Sequence, residues 1–143
     1  MDQEVYDFLV HHLNSVQEND ISAYHETTSP DLTLYEWWVT PNRIDGLPFH
    51  EFMMDSNAQN GTVFGTESWE KAKTRFDLSN LCIQRYGDAA IASYTLLTST
   101  ALPEGVLVAA HDESRVMVKQ AGTWKVVHVH KSPAWPAPHV QPK

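Results

Sequence analysis

The sequence predicts an α+β domain in which a curved antiparallel sheet wraps around a long N-terminal helix to form a cone. Two observations predict this class. Apolar side chains near the N-terminus recur at helical spacing, whereas from residue 73 onward they alternate with period two. Short connections containing glycine or proline divide that second half into four long strands. Helices followed by a run of strands are typical of α+β architecture.

The first half of the chain contains the helical signals. The apolar positions of residues 2–16 form one stripe, with acidic residues at the start where the helix dipole favours them. Asn19 and Asp20 are suited to cap a short second helix, which Pro30 ends. Residues 32–38 alternate as a strand, and residues 41–46 are typical of a turn.

A third helix is predicted to begin near Pro48, because proline is suited to the first helical turn. No periodicity decides between loop and helix for residues 56–65. The four later strands form an antiparallel meander; they are predicted near residues 74–86, 90–100, 106–120 and 123–131. We expect a single domain over residues 1–132 and a proline-rich tail over 133–143, since Pro133 and the prolines after it cannot join the ladder.

Composition excludes several classes of function. The formal net charge of −8 at pH 7 argues against nucleic acid or an anionic membrane as the main partner. The single cysteine, Cys82, excludes an intramolecular disulfide, and we interpret it as a small core residue. Without a signal-like N-terminus or a long apolar run, the expected location is cytoplasmic.

The closing strand holds several polar candidates. Strict alternation predicts one face with Trp124, Val126, His128 and His130, and another with Lys125, Val127, Val129 and Lys131. His128 and His130 have the spacing of a chelating pair, but a third ligand would have to come from His50, His111 or Glu36. We favour histidines that form hydrogen bonds in the core or at a subunit contact, and predict neither a metal nor a cofactor.

Arg115 is predicted to lie on a largely apolar strand face, where it must be paired or reach a polar cavity. It either pairs with Glu113, Glu36 or a neighbouring chain, or joins Lys131 in binding a ligand carboxylate. The sequence leaves both interpretations open.

Glu36 and His50 are candidates for acid and base catalysis. The aromatic neighbours of Glu36, which include Tyr35, are expected to raise its carboxyl pKa if water is excluded. The alternative, which we favour, is a carboxylate that balances a nearby arginine, because the sequence supplies no nucleophile or complete triad.

Three stretches together resemble the association (hub) domain of calcium/calmodulin-dependent protein kinase II. They are residues 46–52, residues 113–116, and residues 122–132 with their W-x-x-V-H-x-H-[RK]-S pattern. The resemblance covers nearly the whole chain and implies the nuclear transport factor 2-like (cystatin-like) fold. It also implies assembly into closed rings and a deep, arginine-lined pocket that accepts small carboxylates.

By this resemblance, Arg115 and Lys131 match two basic pocket positions, and Glu36 and His50 lie near the same pocket. The chain departs from the family pattern in three ways. Leu96 replaces an expected arginine, position 131 is lysine instead of arginine, and the segment between Ser56 and Lys73 is longer. The resemblance therefore implies weakened or altered carboxylate binding.

The leading hypothesis is a stand-alone, homo-oligomerising module that binds a small carboxylate and is not a kinase. The candidate ligand-binding residues are Arg115, Lys131, Glu36, His50, Tyr35, His128 and His130. On this hypothesis, Arg115→Ala abolishes binding and leaves the fold intact. The alternatives are a small cone-fold isomerase, dehydratase or hydrolase using Glu36 and His50, and a scaffold for another protein.

Overall fold

The computed structural model describes residues 1–60 and 73–135. The described elements are α1 (Gln3–Gln17), α2 (Ile21–Thr27), β1 (Thr28–Glu36), β2 (Ile44–Asp45), α3 (Leu47–Asn60), β3 (Lys73–Tyr86), β4 (Ala89–Leu102), β5 (Gly105–Gln120) and β6 (Thr123–Pro133). None of the helices in these two ranges is long and apolar enough to cross a membrane.

Side-chain caps fix the starts of the first two helices. The Asp2 carboxylate accepts a hydrogen bond from the Val5 backbone N–H at 3.1 Å, and Asp20 accepts one from Ala23 N–H at 3.1 Å. Between the helices, Asn19 adopts a positive φ of 53°, a conformation that asparagine tolerates better than most residues. The predicted cap of α2 is thereby assigned to Asp20.

The strands form one sheet in the order β2-β1-β6-β5-β4-β3. β1 and β6 run parallel, and every other neighbouring pair is antiparallel. The core combines the apolar stripe of α1 with inward-facing residues of the sheet; its members include Val5, Leu9, Leu13, Ala92, Met117 and Val129. The predicted α+β class is confirmed.

A bulge in β6 overturns the predicted alternation of its side chains. Val116 pairs with His128 and Met117 with Val126, so Val127 is an extra residue opposite β5. From His128 onward, each side chain therefore lies on the opposite face from the one that strict alternation predicts. Trp124 and Val126 therefore share the buried face with Val129 and Lys131, and the grouping of His128 and His130 with Trp124 is wrong.

A second bulge explains the position of Cys82. The β3–β4 register shifts by one residue between Ser79 and Cys82, and Asn80 has a positive φ of 55°. After this shift, Leu81 and Ile83 pack against the core and Cys82 is exposed. The interpretation of Cys82 as a core residue is wrong.

Several helices and strands begin or end at residues other than those predicted. β1 begins earlier than predicted and ends at Glu36, which leaves Trp37 and Trp38 in the following turn. β6 continues to Pro133, which pairs with His111, so the ladder extends into the predicted tail. α3 extends to Asn60. The remainder of the undecided segment and tail residues 136–143 lie outside the described residues.

Candidate functional site

A row of four inward-facing polar side chains crosses the sheet. The register pairs Glu36 of β1 with Lys131 of β6, Lys131 with Glu113 of β5, and Glu113 with Tyr94 of β4. All four are buried. Because residues paired across strands lie on the same face of a sheet, the row places two carboxylates, an ammonium and a phenol together inside the protein.

Glu36 lies between two hydrogen-bond donors. Lys131 Nζ donates to Glu36 Oε2 at 2.9 Å, and His50 Nε2 of α3 lies 3.1 Å from Glu36 Oε1. Burial acts to raise the pKa of Glu36, but Lys131 and His50 outweigh it and lower the pKa to about 2. The net pKa is therefore lowered and not raised, so Glu36 is ionised near neutral pH. The favoured interpretation of a charge-balanced carboxylate is correct in kind, but the balancing cation is Lys131 and not an arginine.

Arg115 lies two residues from Glu113 on the same buried face of β5. Its Nη1 donates to Glu113 Oε1 and, at 2.7 Å, to the Tyr94 hydroxyl, which itself donates to Glu113 Oε1 at 2.7 Å. His111 Nε2 lies 2.5 Å from the other oxygen of Glu113. The structural pairing of Arg115 with Glu113 is therefore present.

Neighbouring cationic side chains keep the carboxylate of Glu113 ionised. Burial acts to raise the pKa of Glu113, but Arg115 and His111 hold it well below its usual range. For Tyr94, burial raises the pKa of the phenol, which stays protonated and serves as a donor. The interior thus contains two carboxylate–cation pairs, Glu36 with Lys131 and Glu113 with Arg115.

Arg115 and Lys131 line the same small cavity. Its volume is about 10 Å³, room for about one water molecule. The polar walls also include Glu113 and Gln17, and the apolar walls include Leu96, the residue at the position where the family resemblance implies an arginine. The cavity therefore has two cationic walls and an apolar wall at position 96.

Two buried donors of this cavity remain available. Among the described residues, neither Arg115 Nε nor Gln17 Nε2 has a hydrogen-bond partner, although both atoms are shielded from solvent. A buried donor without an acceptor is costly, so each of these two cavity-lining residues has a hydrogen-bond donor that the described residues leave unused.

The remaining predicted ligand-binding residues lie on the other side of the sheet. The ring of Tyr35 lies 5.0 Å from that of His130 and 6.3 Å from that of His128, while His128 Nδ1 lies 2.8 Å from Thr33 Oγ1. Glu36, His50, Arg115 and Lys131 are buried in the interior instead. The structure therefore divides the seven candidates into two separate groups.

The described residues contain no group of three or more His, Cys, Asp or Glu side chains able to hold a metal ion. His111 was considered as a third ligand, but its ring lies against Glu113. In the sheet His111 pairs with Pro133, whereas His128 pairs with Val116, so the two histidines lie at separate positions along the strands. The chelating pair therefore has no third ligand from the residues considered.

Three buried polar residues near the network, His12, Tyr94 and Gln17, were not among the candidates predicted from the sequence. His12 of α1 contacts Thr27 Oγ1 through Nδ1 at 2.8 Å, and burial lowers the pKa of its imidazole well below the usual value. The sequence contained a signal for the burial of two of these residues. His12 lies on the apolar stripe of α1, and Tyr94 lies on the buried face of the alternating strand β4. Gln17 follows the predicted end of the helix, so no pattern indicated its burial.

Residues 1–135 match the family model described as calcium/calmodulin dependent protein kinase II association domain. The chain belongs to this family. It is 30% identical over 125 residues to calcium/calmodulin-dependent protein kinase type II of Caenorhabditis briggsae, covering 84% of this chain and 21% of that protein. This association-domain chain thus spans about a fifth of the length of that relative.

Solved structures agree with the family assignment. The CaMKII hub of S. rosetta is 29% identical, with a TM-score of 0.74 over 92% of this chain and 95% of that one. A nuclear transport factor 2-like protein from Cytophaga hutchinsonii is 18% identical, with a TM-score of 0.67 over 93% and 99% of the two chains. The second likeness concerns the fold alone and confirms the predicted nuclear transport factor 2-like class.

Proposed function

We propose that this association-domain chain is a self-associating module whose interior cavity binds a small carboxylate. The observation that carries the ligand part is the placement of two buried cations, Arg115 and Lys131, on the walls of one cavity. An arginine presents several donors in a planar arrangement that suits a carboxylate. The unpartnered Arg115 Nε gives the site a donor that Glu113 does not use.

Self-association is supported by the family and by exposed apolar surface. The family is defined by the association domain of a kinase, and a similar structure is named a hub. Val106, Leu107 and Val108 are consecutive and more than half exposed at the start of β5. Val106 and Val108 share one face of the strand and Leu107 lies on the other, so apolar side chains are exposed on both faces of this end of β5. Exposed apolar surface is a common feature of interaction sites.

The first prediction concerns the assembly. Native mass spectrometry is expected to give an intact mass of two or more times the 16.2 kDa of the chain. Val108→Asp, which places a charge among the exposed apolar residues, is expected to shift the distribution to smaller species. Ser79→Asp adds the same charge at an exposed position of β3 and is the control. A monomer in the starting protein would refute self-association, whereas an unchanged Val108→Asp assembly would exclude only this surface.

The second prediction concerns the ligand. Acetate is expected to bind, as measured by saturation-transfer NMR and calorimetry, and Arg115→Lys is expected to weaken it at least tenfold. Lysine keeps a positive charge beside Glu113 but lacks the Nε donor and the planar fork. Arg75→Lys, at an exposed site paired with Asp77, is the matched control. Absence of acetate binding to the starting protein would refute the ligand part of the proposal.

The enzyme alternative loses its supporting argument. A proton-donating Glu36 requires a raised pKa, and Lys131 and His50 lower that pKa to about 2. The hydrogen bond between His50 and Glu36 instead matches a structural ion-pair network. Catalysis therefore stays an untested alternative.

A further inference from the structure

His12 of α1 is completely shielded from solvent. Its imidazole ring packs against two aromatic rings, with centroid distances of 6.3 Å to Phe8 of the same helix and 5.3 Å to Tyr24 of α2. Burial raises the pKa of the Tyr24 phenol, which therefore stays uncharged. The side chains with which β3 packs against the core are apolar; they are Phe76, Leu78, Leu81 and Ile83. Because burial removes the hydration of a charged group, a positive charge on His12 would need compensation from the protein.

The hydrogen bonds of Thr27 assign the tautomer of His12. Thr27 Oγ1 lies 3.0 Å from the Ala23 carbonyl oxygen and 3.3 Å from that of Tyr24, and its single hydrogen is donated to these acceptors. The hydroxyl oxygen therefore accepts from His12 Nδ1, which lies 2.8 Å away. Since a neutral imidazole has one N–H, the hydrogen of His12 is on Nδ1 and Nε2 carries a lone pair.

The other ring nitrogen of His12 has no acceptor for a proton. Nε2 is shielded from solvent, and it has no hydrogen-bond partner among the described residues. A protonated imidazole is a donor at both nitrogens, so proton uptake would place an unpaired N–H and a positive charge at this position. The surroundings of His12 therefore favour the neutral ring.

The charged groups near His12 do not compensate a positive charge on its ring. Arg115 of β5, Lys131 of β6 and, when protonated, His50 of α3 repel such a charge, whereas Glu113 of β5 attracts it. Glu113 already has Arg115 as its ion-pair partner. Burial, reinforced by Arg115, therefore holds the pKa of His12 well below its usual range.

We propose that His12 is a pH-sensitive contact that holds α1 in its packed position. The packed helix requires the neutral imidazole with its hydrogen on Nδ1, and protonation of the ring opens this packing, because an N–H at Nε2 finds an acceptor only when it reaches water. This device belongs to the fold of the single chain. It depends neither on carboxylate binding nor on self-association.

Proton binding sets the direction of the pH dependence. In the open form the ring of His12 is in water and has its ordinary pKa of 6.5, whereas in the packed form the ring stays neutral to a lower pH. The stability that the neutral ring gives to the packed helix is therefore complete above pH 6.5 and is lost as the pH falls. Opening becomes more favourable by about tenfold for each pH unit below 6.5, until the pKa of the packed form is reached.

Hydrogen exchange of the α1 amides in the full chain tests this inference. The exchange rate divided by the intrinsic rate at each pH measures the opening of the helix. Between pH 7.5 and pH 5, opening in the starting protein is expected to increase by about tenfold or more relative to His12→Gln. Glutamine is uncharged throughout this range, and its amide has a donor for Thr27. His11→Gln, at the neighbouring exposed position of α1, is the control and is expected to follow the starting protein.

A pH dependence of α1 opening that is the same in the starting protein and in His12→Gln would overturn the proposal. If His12→Gln does not fold, nitrogen-15 NMR of the histidine side chains in the starting protein is the second test. We expect the His12 ring of the folded protein to remain the neutral Nδ1–H tautomer down to pH 5 while the α1 amides lose protection. A ring that becomes charged near pH 6.5 in the folded protein, or unchanged protection of α1, would overturn the proposal.

Discussion

Replacing Arg115 with methionine is expected to lower the free energy of unfolding by about 3–5 kcal/mol at pH 7. The guanidinium is 2% exposed and is the ion-pair partner of Glu113, which is also buried. Methionine has an apolar side chain of similar length, so the main loss is electrostatic and leaves a buried carboxylate without its cation. Urea denaturation at pH 7 measures the change.

A second substitution distinguishes charge from packing. Arg115→Met combined with Glu113→Gln removes both charges, and the pair is expected to recover most of the lost stability. Arg75→Met is the control because Arg75 and Asp77 form an exposed pair, and little change is expected. An Arg115→Met protein as stable as the starting chain would contradict the buried pair.

This result would also revise the sequence-based expectation for Arg115→Ala. That expectation left the fold intact because it treated Arg115 as a ligand-binding side chain alone. In the structure the same guanidinium also donates to Tyr94 and Glu113. Arg115→Lys is therefore the sharper probe of ligand binding, since it retains a cation beside Glu113.

Replacing Lys131 with methionine is expected to cost a similar amount, about 3–5 kcal/mol at pH 7, because Glu36 loses its buried cationic partner. Combining it with Glu36→Gln is expected to restore most of the stability, while Lys119→Met, at a more exposed ion pair with Glu4, is the control. Chemical denaturation at pH 7 gives the three differences. Equal losses for Lys131→Met and Lys119→Met would contradict the assigned burial.

The loss caused by Lys131→Met is expected to shrink as the pH falls. In the starting protein the pKa of Glu36 is lowered to about 2 from an ordinary value of 4.5, so its stabilising contribution is complete above pH 4.5 and disappears towards pH 2. Without Lys131, burial raises this pKa, and protonation relieves the unpaired charge at a higher pH. A stability difference that stayed constant between pH 7 and pH 3 would contradict this account.

The division of the predicted site shows where sequence patterns reach their limit. The residue types indicated that Arg115, Lys131, Glu36 and His50 are unusual for their surroundings, and the structure places all four in the buried interior. Tyr35, His128 and His130 were also candidates, although strict alternation already separated the two histidines from Lys131. The bulge at Val127 moves both histidines off the face of Trp124 and Val126 and brings Lys131 onto that buried face.

The sequence by itself determined the family, the α+β class, the starts of the helices and the buried charged residues that needed partners. These features depend on local periodicity, capping and side-chain chemistry, which are present in short stretches of chain. Only the tertiary structure decided the bulges and the row from Glu36 to Tyr94. Each of these depends on register between strands far apart in sequence, and one extra residue in one strand exchanges the faces of all that follow.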